Sequence, residues 1–285
     1  MERFLRAAST WADVIVVLDQ ASEDGSAEIA RSFDKVHVAD YPHPTYDDPI
    51  RRGLLVDLAR QLVPGPRVLV ALDADEFMAA DAWEQPEMRA FLAAPPGTLA
   101  LMRWINLLPD EPRAWIPGDW TDFMLVDDGS AFRGEAMHGP RLPAGPRSER
   151  VHLDEPKVIH LQYLDWNRMR AKQRWYQAQE RIEYPRKRPI QIYRQYHHMD
   201  AISERARHPV RPEWLAGYGP ELAESLLTVQ AETAYPTDNR VLDLLAAHSP
   251  GCFRRIELWD GDWGARAQAL GRPVPAAAIA DPRRT

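Results

Sequence analysis

Arg67-Val68-Leu69-Val70-Ala71-Leu72-Asp73-Ala74-Asp75-Glu76-Phe77 is an apolar run that ends abruptly in carboxylates. Pro64-Gly65-Pro66, just before it, stops whatever element precedes. A short run that is apolar at every position predicts a strand covered on both faces, as in a parallel sheet. Such a strand delivers Asp73, Asp75 and Glu76 at its C-terminal end, the edge where open α/β sheets bind ligands. Side chains two apart on a strand share a side, so Asp73 and Asp75 are expected to converge on one ligand. Two carboxylates leave positions open for water and phosphate oxygens around a hard cation, which suits Mg²⁺ or Mn²⁺ bridging a diphosphate. The same triplet also fits a solvated acidic turn, or a phosphatase-like or kinase-like carboxylate pair.

Upstream, Val14-Ile15-Val16-Val17-Leu18 is a second short apolar run rich in β-branched residues. Turn formers follow from Asp19 to Gly25, then a helix opens at Ser26, and Val36-His37-Val38-Ala39 reads as another strand. The order strand, helix, strand predicts a βαβ unit. A helix is expected over about 50–62, where Leu54, Leu55, Leu58 and Leu62 recur at helical spacing. Downstream, strands are expected near 99–105, 122–126 and 157–161, and helices near 84–94, 166–182, 192–204, 220–233 and 240–247. The stretch after Arg272, rich in Pro and Ala, is expected to be poorly ordered.

Composition narrows the function classes. The chain has 285 residues, 45% of them apolar, which is ordinary for a globular protein. Lys and Arg total 35 against 42 Asp and Glu, a net charge of -7. An acidic protein gains nothing overall from counterion release, which argues against nucleic acid as the main partner. Basic residues nevertheless gather at Arg168, Arg170, Lys172 and Arg174, and again at Arg186, Lys187 and Arg188. That pattern fits either a solvated helix face or a patch that meets phosphates or an anionic surface. Cys252 has no partner for an internal disulfide, which fits a reducing cytoplasm. No apolar run reaches the roughly 20 residues of a membrane helix, so no membrane span is expected.

Two motifs in this order resemble family-2 glycosyltransferases of GT-A fold. Val14 to Ser26 resembles that family's strand ending in Asp followed by a Ser-x-Asp-Gly turn, and Val70 to Phe77 resembles its metal-binding strand end. The resemblance covers about residues 1–165. It implies a Rossmann-like, mostly parallel central sheet flanked by helices over 1–190, and a helical extension over 191–285. It implies transfer of a sugar from a nucleotide-diphosphate donor to a hydroxyl acceptor (a glycan, a lipid-linked sugar or a small molecule), with inversion. Asp19 would accept from the nucleobase, and Arg52 would lie near the nucleotide. Asp73 would touch ribose or metal, Asp75 would bind the metal, and His160 would complete the metal or diphosphate site. Glu135 in Phe132-Arg133-Gly134-Glu135-Ala136-Met137-His138 is the expected general base, with Asp122 behind it. Some relatives carry an acceptor-side His-Glu pair in that segment, and here Gly139 follows His138 and breaks it. Trp104, Trp115, Trp120, Trp166 and Trp175 could stack on sugar faces or simply pack.

One departure is plain. Family members begin with a strand ending near an Asn-Glu pair, set between the Val14 and Arg67 strands. The expectation is that such a stretch lies upstream of Met1, which translation of the upstream gene would check. Otherwise the two strands pair directly or another segment fills the gap. Rival readings are a metal-dependent nucleotidyltransferase and a GT-A-like domain that binds glycans or partners without turnover.

Overall fold

The computed structural model describes residues 1–22, 24–42, 48–109, 112–133, 139–145, 148–229, 232, 234–258 and 261–276, apart from the side chains of Asp48 and His198. Glu135 lies outside these residues, as does the end of the Pro- and Ala-rich tail. The chain packs as two compact units. The first comprises Met1–Leu107, Pro112–Leu161 and His208–Thr228. The second comprises Leu108–Glu111, Gln162–Arg207 and Val229–Thr285. The expected boundary at 190 therefore falls inside the second unit.

The first unit opens with α1 (Glu2–Ala8), β1 (Ile15–Asp19), α2 (Ser26–Arg31) and β2 (Val36–Asp40). β1 and β2 pair in parallel from Ile15 opposite Val36 to Asp19 opposite Asp40, as the βαβ reading expects. Leu5, Ala8, Ile15 and Ala30 form the buried core of this part, with Phe4, Trp11 and Phe33 packed on it. Gly25 at the start of α2 has φ of 78°, a left-handed turn that a Cβ would strain. α3 (Asp48–Leu62) follows, and its Val56 packs against Leu69, Leu99, Leu125 and Leu142.

The main sheet is built from β3 (Val68–Val70), β4 (Glu76–Met78), β5 (Leu99–Leu107), β6 (Arg113–Trp115), β7 (Thr121–Val126), β8 (Arg150–His160) and β9 (Arg207–Pro209), with α4 (Pro86–Leu92) between β4 and β5. Its pairing corrects the expectation of a mostly parallel sheet. β3 pairs β7, β4 pairs β8, and β5 pairs both β6 and β7, all antiparallel; β5 with β8 is parallel. The fold is mixed α/β with an antiparallel main sheet. The physical reason is that burial on both faces, which the apolar runs require, is met equally well when an antiparallel sheet is covered on both sides. Among the described residues β1 pairs only with β2, and β3 only with β7, so the two do not pair with each other.

The segment 208–228 returns to complete the first unit. It carries α7 (Glu213–Ala216) and α8 (Pro220–Leu227). Trp214 is buried, and its carbonyl accepts from Ala80 N at 2.8 Å. The Gly217 Cα approaches so closely that a Cβ there would lie 2.9 Å from Ala80 Cβ. Arg3 Nη1 donates to the carbonyls of Ser225 and Thr228, both at 3.2 Å.

The second unit is helical, with α5 (Trp166–Glu183), α6 (Pro189–Tyr196), α9 (Pro236–Ala247) and α10 (Trp263–Ala269). Asp165 caps α5 by accepting from Arg168 N. Ala178, Ile192, Tyr196, Val241, Leu242 and Phe253 anchor its core. Among the described residues no helix is long and apolar enough to cross a membrane.

Candidate functional site: an acidic turn braced from the core

The apolar run ends earlier than its sequence suggests. β3 stops at Val70, and Ala71 N adds one more bond to Phe123 O at 2.9 Å. Residues 71–73 then leave the ladder, and Glu76 N donates to Asp73 O at 2.9 Å, closing a turn over Ala74 and Asp75. β4 begins at once with Glu76. Asp73 and Asp75 therefore sit in a turn between two strands of one sheet, and the turn rather than strand alternation orients them. Their side chains are solvent-accessible, 66% for Asp73 and 43% for Asp75.

Glu76 does the opposite. It is wholly buried and faces the interior. Its Oε2 accepts from Asp73 N at 2.8 Å, and its Oε1 accepts from Trp104 Nε1 at 2.8 Å. Arg141 closes on both oxygens, with Nη2 donating to Oε1 at 2.8 Å and Nη1 to Oε2. Asp73 and Asp75 thus face out, and Glu76 holds their turn from behind. A buried carboxylate that is fully hydrogen-bonded to a guanidinium is a rigid anchor, because any other arrangement would strand its charge.

Arg141 ties several elements together. Its backbone N donates to Asp122 Oδ2 at 2.8 Å, and Leu142 N donates to the same oxygen at 3.2 Å. Its Nη2 lies 3.4 Å from Asp73 Oδ2, and its guanidinium lies over Phe123 at 5.0 Å. Burial opposes the charge on Arg141, but Glu76, Asp73 and Asp122 more than offset that, and its pKa is raised above the ordinary arginine value. Arg52 Nη1 donates to the carbonyls of Gly139 and Pro140, both at 2.9 Å. The expected nucleotide contact Arg52 and the expected base Asp122 are thus brought to one segment, where each holds backbone.

His160, the last residue of β8, sits opposite Glu76 in the β4–β8 register. It is buried and stacks on Trp104 with ring centroids 5.5 Å apart. Its Nδ1 lies 3.0 Å from Asn106 Oδ1, and Asn106 Nδ2 donates to Trp115 O at 3.3 Å. That second bond orients the amide, so Oδ1 accepts and the imidazole carries its proton on Nδ1. Nε2 faces Asp75 Oδ2, 3.7 Å away. That separation is too long for a hydrogen bond. It leaves room for a cation to touch both atoms at ordinary ligand distances of about 2.0–2.2 Å. Among the described residues no group of three or more His, Cys, Asp and Glu is placed to hold a metal.

Asp19 lies elsewhere in the first unit, at the end of β1. Its Oδ2 accepts from Ser22 N at 3.2 Å, across a turn in which Ala21 takes φ of 54°. A left-handed alanine costs about 1–2 kcal/mol, so the surrounding structure fixes this turn. No described bond connects Asp19 to the acidic turn. A cleft of about 330 Å³ occurs in the second unit, lined by Met169, Gln173, Gln177, Tyr193 and Tyr196 among others, and none of the expected site residues reaches it.

Sequence reasoning missed Asn106 and Arg141. Asn106 had a signal: a single amide inside the apolar run Trp104-Ile105-Asn106-Leu107-Leu108 must find partners when buried. Arg141 had none, because its partner Glu76 lies 65 residues away. No family model matches this chain, and no curated protein matches it.

Proposed function

We propose that the protein is a metal-dependent glycosyltransferase of GT-A type, moving a sugar from a nucleotide-diphosphate donor to a hydroxyl acceptor. The observation that carries this reading is the facing pair Asp75 Oδ2 and His160 Nε2, 3.7 Å apart, with the imidazole held at Nδ1 by Asn106. A carboxylate and an imidazole whose other ring nitrogen is held by an amide oxygen fit a divalent cation. The mixed donor set favours Mn²⁺ over Mg²⁺, since imidazole suits transition metals. With two protein donors, the remaining positions suit diphosphate oxygens and water. Bound there, the cation would supply Lewis-acid stabilisation of the departing nucleotide diphosphate.

The chain's own residues have definable tasks in this scheme. Asp73 lies beside the same turn, positioned for ribose or metal, and its backbone is held by Glu76. Asp19 ends the first strand of the parallel βαβ unit and is proposed for the nucleobase. The proton of the acceptor hydroxyl is assigned to Glu135 or Asp122; Asp122 already commits Oδ2 to two backbone N–H groups, so Oδ1 is the oxygen available to an acceptor. The exposed Cys252 fits a reducing compartment, and we place the protein in the cytoplasm on that ground.

Thermal unfolding with a panel of nucleoside diphosphates, with and without Mn²⁺, tests the reading. Binding at about 100 times Kd stabilises by roughly 2.7 kcal/mol, enough to raise Tm by a few degrees. The stabilisation should require Mn²⁺ and disappear in Asp75→Asn and in His160→Gln. If no nucleoside diphosphate raises Tm with Mn²⁺ present, or if Asp75→Asn keeps the effect, the assignment is wrong.

A further inference from the structure

The basic clusters noted in the sequence take on a definite shape in the second unit. Residues 168–194 hold nine Lys and Arg against two acids, a net +7, inside a chain whose total is -7. A charge asymmetry of this size within one region points to an anionic partner. Some of these cations are used internally: Arg174 pairs with Asp238 at 3.3 Å, and Lys187 pairs with Glu180. Arg186, Arg188 and Arg194 are exposed.

Apolar side chains stand among them. Tyr184, Ile190 and Tyr193 are 55%, 48% and 43% exposed, three of the nine large hydrophobic residues that the described surface exposes, within ten residues of sequence. α6 explains the arrangement. Ile192 and Tyr196 bury one stripe of the helix, so Ile190, Tyr193 and Arg194, at i, i+3 and i+4, share the outward face. Lys187 N donates to Tyr184 O at 2.9 Å, folding the preceding turn so that Tyr184, Arg186 and Arg188 gather at the start of the helix.

We propose that this face of α6 and its leading turn docks on an anionic lipid bilayer. Exposed arginines interleaved with tyrosine and isoleucine match an interface that is negatively charged at the headgroups and apolar just beneath. Tyrosine is the residue type favoured at that depth. Ile190 decides against a soluble polyanion, because an aliphatic side chain gains nothing from a phosphate backbone and gains from acyl contact. The inference concerns the second unit alone and does not depend on the acidic turn.

The test is flotation of the full-length chain with vesicles of phosphatidylcholine, alone or with about one third phosphatidylglycerol. Partitioning should be at least about tenfold stronger on the anionic vesicles and should fall steeply with added salt. Arg186→Glu with Arg194→Glu should abolish the difference between the two vesicles. Ile190→Ser with Tyr193→Ser should weaken anionic-vesicle binding by about fivefold or more, with salt dependence retained. All four side chains are on the surface, and unchanged far-UV circular dichroism would show that the variants fold. Equal partitioning on both vesicles would overturn the proposal, as would anionic-vesicle binding that neither variant alters. Tighter binding to a single-stranded oligonucleotide than to the anionic vesicles would also overturn it.

Discussion

Glu76 has no route to water: its carboxylate is enclosed by Trp104, Arg141 and the Asp73 backbone. Arg141→Met would keep most of the packing volume and remove the counter-charge. Breaking one side of a buried pair costs about 3–5 kcal/mol, because the remaining charge is stranded. Denaturant unfolding should show that loss, and Glu76→Gln placed in the same chain should recover much of it. Little or no loss in Arg141→Met would mean that Glu76 finds compensation the geometry does not show. Asp73, Asp75 and His160 were visible in the sequence as chemistry-bearing residues at element ends. The inward role of Glu76 was hidden, since a turn at Ala74–Asp75 resets the alternation on which strand reading depends.

At the scale of elements, α3, β3 and β7 meet on Asp127, just after β7. Its carboxylate accepts from Arg60 Nε at 3.0 Å, Arg60 Nη2 at 2.6 Å and Arg67 Nε at 2.6 Å. Burial alone would raise the Asp127 pKa, but the hydrogen bonds from Arg60 and Arg67 outweigh it and lower the value to about 2. A depressed carboxylate stabilises the fold above its unfolded value, and that contribution disappears as pH falls through about 2. Asp127→Asn should therefore cost about 2 kcal/mol near neutrality. In urea titrations the gap from the parent should narrow between about pH 4 and pH 2 and close at the acid end. A gap independent of pH would show that packing, not charge, holds the junction. Element type was readable here: the apolar periodicity of α3 and the short runs at β3, β5 and β7 all appear where expected. Strand direction was not, because a three-residue β3 buried by neighbours carries no mark of whether its partner runs with it or against it.

For the whole molecule, the first unit is interrupted by part of the second, chiefly residues 162–207. The first unit is completed by 208–228, which supplies the buried Trp214 and the contact to Ala80. A fragment ending at residue 190 should therefore fail to melt cooperatively by circular dichroism, while the full chain does. A sharp transition in the fragment would show that the returning segment is dispensable. This return was illegible in the sequence, because α7 and α8 look like any amphipathic helices and only a long-range contact assigns them. The bracing of the acidic turn has a kinetic corollary. A receptor whose shape is set by the interior, through Glu76 and the Asn106–His160 contact, has little left to rearrange when a guest arrives. Under the proposed function, capture of a nucleoside diphosphate and its ion at that edge should then follow diffusion and ionic strength, with no slow gate of its own.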